Sequence, residues 1–200
     1  MSKTVEFYFD LGSPASYLAW TQLPALCARH DAKLLYRPIL LGGVFQATGN
    51  ASPVMVPAKG RYMFTDLKRF ADRYGVPFGL PPRFPANTLN LMRGVMGTQL
   101  WAPERFEALL KVLFEGWWGQ QRNLADAAVL AATLTEGGFD PEAFQGLAAQ
   151  DEVKQALKEA TGLAVARGVF GAPTCFVEDE MFFGQDRLDF VEAHLNTLNQ

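Results

Sequence analysis

Val5-Glu6-Phe7-Tyr8-Phe9-Asp10-Leu11-Gly12-Ser13-Pro14 is the stretch that decides how this chain folds. Val5, Phe7 and Phe9 fall on alternate positions, the period of a strand with one buried face. Gly12 permits a tight turn, and Pro14 suits a first helical position, where its missing N–H would be unpaired in any case. Ser13 then stands where a hydroxyl can cap the helix. The pattern predicts a strand over 4–10 and a helix over 16–29, with Pro24 marking a kink or an early break. A second strand is expected over 33–40. Strand, helix and strand in that order make a βαβ unit with a right-handed crossover.

Beyond this unit the texture changes. Residues 42–57 are rich in Gly, Pro, Ser and Asn and predict a long functional loop. Helical spacing and punctuation then predict helices over 59–74, 87–100, 103–116 and 124–136. A short helix follows, capped by Asp140 with Pro141 at its first position, and then one over 151–167. Strand character returns at 174–177 and 181–183, joined by a hairpin turn at Glu178-Asp179-Glu180. The last helix is expected over 187–198, with Asp186 as its N-cap. The chain therefore reads as α/β, with residues 1–42 and 169–200 forming one split domain and 43–168 an inserted helical domain.

Composition narrows the function. The chain has 200 residues, a net charge of −3 and ordinary globular proportions, so no basic field is available to hold nucleic acid. No apolar run is long enough to span a bilayer. The N-terminal residues enter a strand and not a secretory apolar core, so a cytoplasmic location is expected. The two cysteines, Cys27 and Cys175, lie far apart in apolar sequence and predict buried core thiols without a disulfide. The two histidines, His30 and His194, have no neighbours at metal-ligand spacing, so no metal is expected. They also leave little from which to build a Ser-His-Asp hydrolase. Each falls near a helix end, where a solvated or dipole-paired histidine is the plain reading.

Two features bracket the helical stretch. One is the strand-turn-helix at Ser13-Pro14. The other is Phe170-Gly171-Ala172-Pro173-Thr174, a proline opening a strand, where a cis bond would turn the Ala172 backbone toward a ligand. Together these resemble the thioredoxin-like superfamily, which pairs a reactive residue at the start of its first helix with a cis-proline before its third strand. In the DsbA type that helix opens with Cys-Pro-x-Cys, whereas Ser13-Pro14-Ala15-Ser16 has serine in both cysteine places. Dithiol exchange is thereby excluded.

A narrower resemblance covers essentially the full chain. Phe9-Asp10-x-x-Ser13-Pro14-x-Ser16-Tyr17-Leu18, Thr48-Gly49-Asn50, Pro57-x-Lys59-Gly60-x-Tyr62, Phe170-Gly171-x-Pro173-Thr174 and Phe183-Gly184-x-Asp186-Arg187 follow in order. They resemble the 2-hydroxychromene-2-carboxylate isomerases and kappa-class glutathione transferases. The resemblance implies a thioredoxin-like fold with an inserted all-helical domain, glutathione as cofactor, a small aromatic substrate and a homodimer. It implies isomerisation of a 2-hydroxychromene-2-carboxylate-like compound. The alternatives are a kappa-class-like transferase or peroxidase acting on electrophiles, and a non-catalytic thioredoxin-like binding protein.

The residue roles carry over one by one. A hydroxyl with no base is a poor nucleophile, but at a helix N-terminus it can donate to an anion and favour a bound thiolate. Ser13 is therefore expected to be catalytic as a donor to the glutathione sulfur, with a plain N-cap as the rival reading. Pro14 and the Ala172-Pro173 backbone are expected beside it. The resemblance places Gln185 and Asp186 at the γ-glutamyl end, Asn50 on the peptide, and Lys59 near a carboxylate. For Asp186 the competing reading is an N-cap, for Asn50 a turn residue and for Lys59 an exposed helix start. Phe45 and Thr88 match substrate positions that hold lysine and tyrosine in the naphthalene-pathway isomerase. Trp118 is a further expected wall of the substrate pocket, with burial in the core as its alternative.

Overall fold

The computed structural model describes residues 3–198. Strand β1 (Lys3–Phe9) leads through the Asp10–Ser13 turn into helix α1 (Pro14–Arg29), and β2 (Ala32–Pro38) returns beside β1. Ser13 caps α1, its Oγ accepting from the Ser16 N–H at 3.1 Å. Helix α1 runs unbroken through Pro24, which sits on its solvent face, where water can serve the carbonyl the proline leaves unpaired.

Then come α2 (Leu41–Thr48), a 3₁₀ turn at Pro53–Met55, α3 (Pro57–Tyr74), α4 (Leu89–Trp101) and α5 (Phe106–Phe114), the last continuing into a π turn at Glu115–Gly119. Helices α6 (Ala127–Glu136), α7 (Pro141–Ala149) and α8 (Asp151–Ala166) complete the helical stretch. Asp126 and Asp140 cap α6 and α7 through their carboxylates. The hairpin β3 (Thr174–Val177) and β4 (Glu180–Phe183) precedes a 3₁₀ turn at Gln185–Arg187 and α9 (Leu188–Thr197).

The sheet order is β2-β1-β3-β4, with β1 and β2 parallel and the other pairings antiparallel. Both ends of the chain thus build one sheet, and the residues between are helical. Val5, Phe7 and Phe9 of β1 are fully buried and share a single core with α1, α4, α5, α9 and the Trp117–Trp118 pair. Cys27 and Cys175 are free and buried.

Two local expectations are corrected. The segment expected to be loop contains α2, because its first amides are paired from a distance. The Leu41 N–H donates to Asp10 Oδ2 at 2.8 Å, and the Leu40 N–H donates to Thr161 Oγ1 at 3.0 Å. Asp186 does not cap the last helix. That helix begins at Leu188 without a side-chain cap, and the Asp186 carboxylate pairs with the Arg187 guanidinium.

Candidate functional site

The turn after β1 is built around a buried carboxylate. Asp10 is fully buried; its Oδ1 accepts from the Gly12 N–H at 2.8 Å, and its Oδ2 accepts from the Leu41 N–H and from Thr88 Oγ1 at 3.0 Å. Burial raises its pKa above the ordinary carboxylate value, against the pull of these three donors. One side chain thereby fixes the turn that presents Ser13, the start of α2 and the start of α4. Gly12 is required by close approach: a Cβ there would lie 2.7 Å from Thr88 Cγ2.

Ser13 is nearly buried and already engaged. Its hydroxyl donates to the Ala172 carbonyl at 2.8 Å while its oxygen accepts from Ser16. The Ala172–Pro173 peptide is cis, and the Ser13–Ala172 bond places the approach to β3 against the start of α1. These two segments form the floor of a groove of about 820 Å³, within the roughly 300–1,000 Å³ usual for small-ligand sites.

Of the residues singled out in the sequence, Ser13, Pro14, Phe45, Asn50, Lys59, Ala172, Pro173, Gln185 and Asp186 line this groove. Asn50 is held by its own contacts: its Nδ2 donates to the Phe170 carbonyl at 2.8 Å, tying the loop after α2 to the loop before β3. Gly184, at φ +102°, lets the chain turn so that Gln185 and Asp186 face the groove, and a Cβ there would clash with Asp186 Oδ1.

Thr88 and Trp118 are not in the lining. Thr88 spends its hydroxyl on Asp10. Trp118 is fully buried and donates from Nε1 to the Leu11 carbonyl at 2.8 Å, supporting the Ser13 turn from behind. A buried indole N–H usually finds a partner, and for Trp118 the turn supplies the acceptor.

Residues not singled out as site residues complete the walls. Tyr62, Met63 and Asp66 follow Lys59 by three, four and seven positions, one face of α3, and all line the groove. That spacing was open to reading. Phe84, Phe170 and Phe183 come from three separate segments, and Phe170 packs on Phe183 with ring centroids 4.6 Å apart. The lining is thus largely apolar, with Lys59 as its cation and Asp66 and Asp186 as its carboxylates.

No histidine lines the groove beside Ser13. His30 pairs with Glu192 at 2.9 Å and His194 with Glu180 at 2.9 Å, both outside the lining. Nor can either cysteine supply a thiolate at neutral pH. Burial pushes the Cys27 thiol up to about 11 and raises that of Cys175 further. The site can bind, orient and stabilise an anion, and its lining has no histidine to activate Ser13 and no thiol to act in its place.

A thioredoxin-type sheet interrupted by helices, with a cis-proline facing the start of α1, defines the structural class. The chain belongs to the DSBA-like thioredoxin domain family, which it matches over residues 4–196. It is 35% identical to a 2-hydroxychromene-2-carboxylate isomerase of Sphingobium xenophagum, over 98% of this chain and 99% of the relative. It is 30% identical to the Homo sapiens glutathione S-transferase kappa 1, over 98% of this chain and 91% of the relative. A solved 2-hydroxychromene-2-carboxylate isomerase superposes with a TM-score of 0.86 at 31% identity, covering 98% of this chain and 95% of that one. No helix among the described residues is long and apolar enough to cross a membrane.

Proposed function

We propose that the protein is a glutathione-dependent isomerase converting a 2-hydroxychromene-2-carboxylate-like compound to its trans-o-hydroxybenzylidenepyruvate-like isomer. The observation that carries this reading is the Ser13 hydroxyl at the N-terminus of α1, facing a largely apolar groove with neither a histidine nor a cysteine in its lining. The names of the relatives support it.

The residues fit glutathione by their chemistry. When bound, glutathione supplies a thiolate for reversible addition to a conjugated double bond. Ser13 Oγ can keep accepting from Ser16 while its proton turns from the Ala172 carbonyl toward an anion. The helix N-terminus adds its partial positive charge at the same place. The Ala172-Pro173 backbone orients the peptide unit beside Ser13. Gln185 and Asp186 suit the γ-glutamyl end, with Asp186 offering a carboxylate to an ammonium. Lys59 suits a carboxylate, and Asn50 steadies the loop between them. Phe45, Tyr62 and Phe84 exclude water from the apolar part of the substrate.

The second reading is a kappa-like transferase acting on electrophiles. It is favoured by Phe45, which presents an apolar ring and leaves Lys59 as the groove's cation. Turnover of 2-hydroxychromene-2-carboxylate and of chlorodinitrobenzene, each with and without glutathione, separates the two. Glutathione-dependent isomerisation is expected. Conjugation without isomerisation selects the transferase, and absence of both together with no glutathione binding leaves a non-catalytic binding protein.

A further inference from the structure

Three arginines are half-buried among the described residues. Arg122 meets Glu136 at 2.6 Å and Arg167 meets Glu6 at 2.5 Å. Arg93, on α4, has no hydrogen-bond or ion-pair partner among the described residues, and its Nε is fully enclosed. A buried polar atom without a partner calls for an explanation, and a guanidinium satisfies it best with a charge-assisted bond to a carboxylate.

Arg93 lines a cleft of about 740 Å³ between α4, α6 and α7. Leu89, Leu130 and Phe144 give this cleft an apolar side, while Asn90 and Gln145 add amides. Lys154 is a second cation there, and no aspartate or glutamate is in the lining. Lys154 is already held by the exposed Asp151 at 2.8 Å, so the charge that lacks a counterpart is that of Arg93. A further cleft of about 700 Å³ lies across Arg93 and Lys154, toward α2 and α8. Neither cleft shares a lining residue with the Ser13 groove.

The geometry points to a second ligand site in the α4–α6–α7 cleft, for a small monocarboxylate with an apolar body. The carboxylate meets Arg93, whose planar fork suits two parallel hydrogen bonds. Asn90 and Gln145 can donate to the remaining lone pairs, and the body rests on Leu89, Leu130 and Phe144. The site is independent of the isomerase reading, since no residue is common to the two.

Residue-resolved amide NMR of the whole protein, titrated with benzoate and separately with neutral benzamide, tests the site. Saturable benzoate shifts are expected at residues 87–93, 144–149 and 154, with a Kd on the order of 1 mM. Benzamide should give none there. Arg93→Met should weaken benzoate at least about tenfold, and Arg93→Lys should recover part of that loss. If Arg93→Met does not fold, Lys154→Met should weaken benzoate by about threefold. Non-saturable shifts, shifts confined to the Ser13 groove, or equal shifts with benzamide would each overturn the proposal. So would unchanged affinity in the folded variants.

Discussion

The Ser13 hydroxyl donates to the Ala172 carbonyl across 2.8 Å, joining residues 159 positions apart in the chain. This bond holds the start of α1 against the cis-proline segment, and it occupies the proton that an incoming anion would need. Ser13 is therefore both a structural tie and a donor in reserve. Replacing it tests the two roles separately.

Ser13→Ala removes the donor and the cap. Loss of one donor aimed at a developing or bound anion lowers turnover about 100-fold, and loss of the cap costs about 1 kcal/mol of stability. Glutathione affinity measured by calorimetry should change far less than kcat, because the contacts proposed at 172–173 and 185–186 remain. Unchanged turnover would end the mechanism proposed for Ser13.

Asp10→Asn places an amide where the Leu41 N–H needs an acceptor. A buried donor left unsatisfied costs about 1–3 kcal/mol. Thr88→Val alone should cost about 1 kcal/mol, because it removes one hydroxyl of similar shape. A double-mutant cycle in denaturant should show coupling between the two sites. Strict additivity would contradict the shared carboxylate.

Gly12→Ala forces a Cβ to 2.7 Å from Thr88 Cγ2. The expected loss is about 1–3 kcal/mol from overpacking. Adding Thr88→Ser removes the opposing methyl while keeping the hydroxyl on Asp10. Thermal melts should show the double variant more stable than Gly12→Ala alone.

Trp118→Phe should lower stability by about 1–2 kcal/mol, because the buried Leu11 carbonyl loses its donor. If Trp118 acted only as a wall for substrate, KM would rise with the melting temperature unchanged. The structure predicts the reverse ordering of effects.

Glu6 supplies the pH dependence. Burial raises its pKa, but hydrogen bonds and charge from Arg167 and Arg37 outweigh that, so the net shift is downward from 4.5. A carboxylate with a depressed folded pKa contributes stability that is present above its unfolded pKa and lost as pH falls through the folded value. Glu6→Gln should therefore destabilise the protein at neutral pH by about 1 kcal/mol, because solvent screens this partly exposed cluster. The gap between variant and wild type should close as the pH is lowered below 4.5. A gap independent of pH would show that the Arg167–Glu6–Arg37 contacts do not depend on charge.

The pairing of Ser13 with the Ala172-Pro173 segment was legible only through the resemblance to the thioredoxin-like superfamily, whereas the sequence by itself determined the β1-turn-α1 unit and the closing hairpin. Those rest on alternation, proline placement and turn chemistry, which act over a few residues. The face of α3 that follows Lys59 obeys the same local rule and was equally open to reading. Tertiary structure alone decided that residues 41–48 are helical, because the groups pairing the first amides of that helix come from Asp10 and Thr161, 31 and 121 positions away. It also decided that Trp118 and Thr88 stand behind the site and not in it. Each has a buried polar group, and the Ser13 turn supplies its partner in both cases. Helical spacing shows which residues share a face, but only packing shows what that face meets.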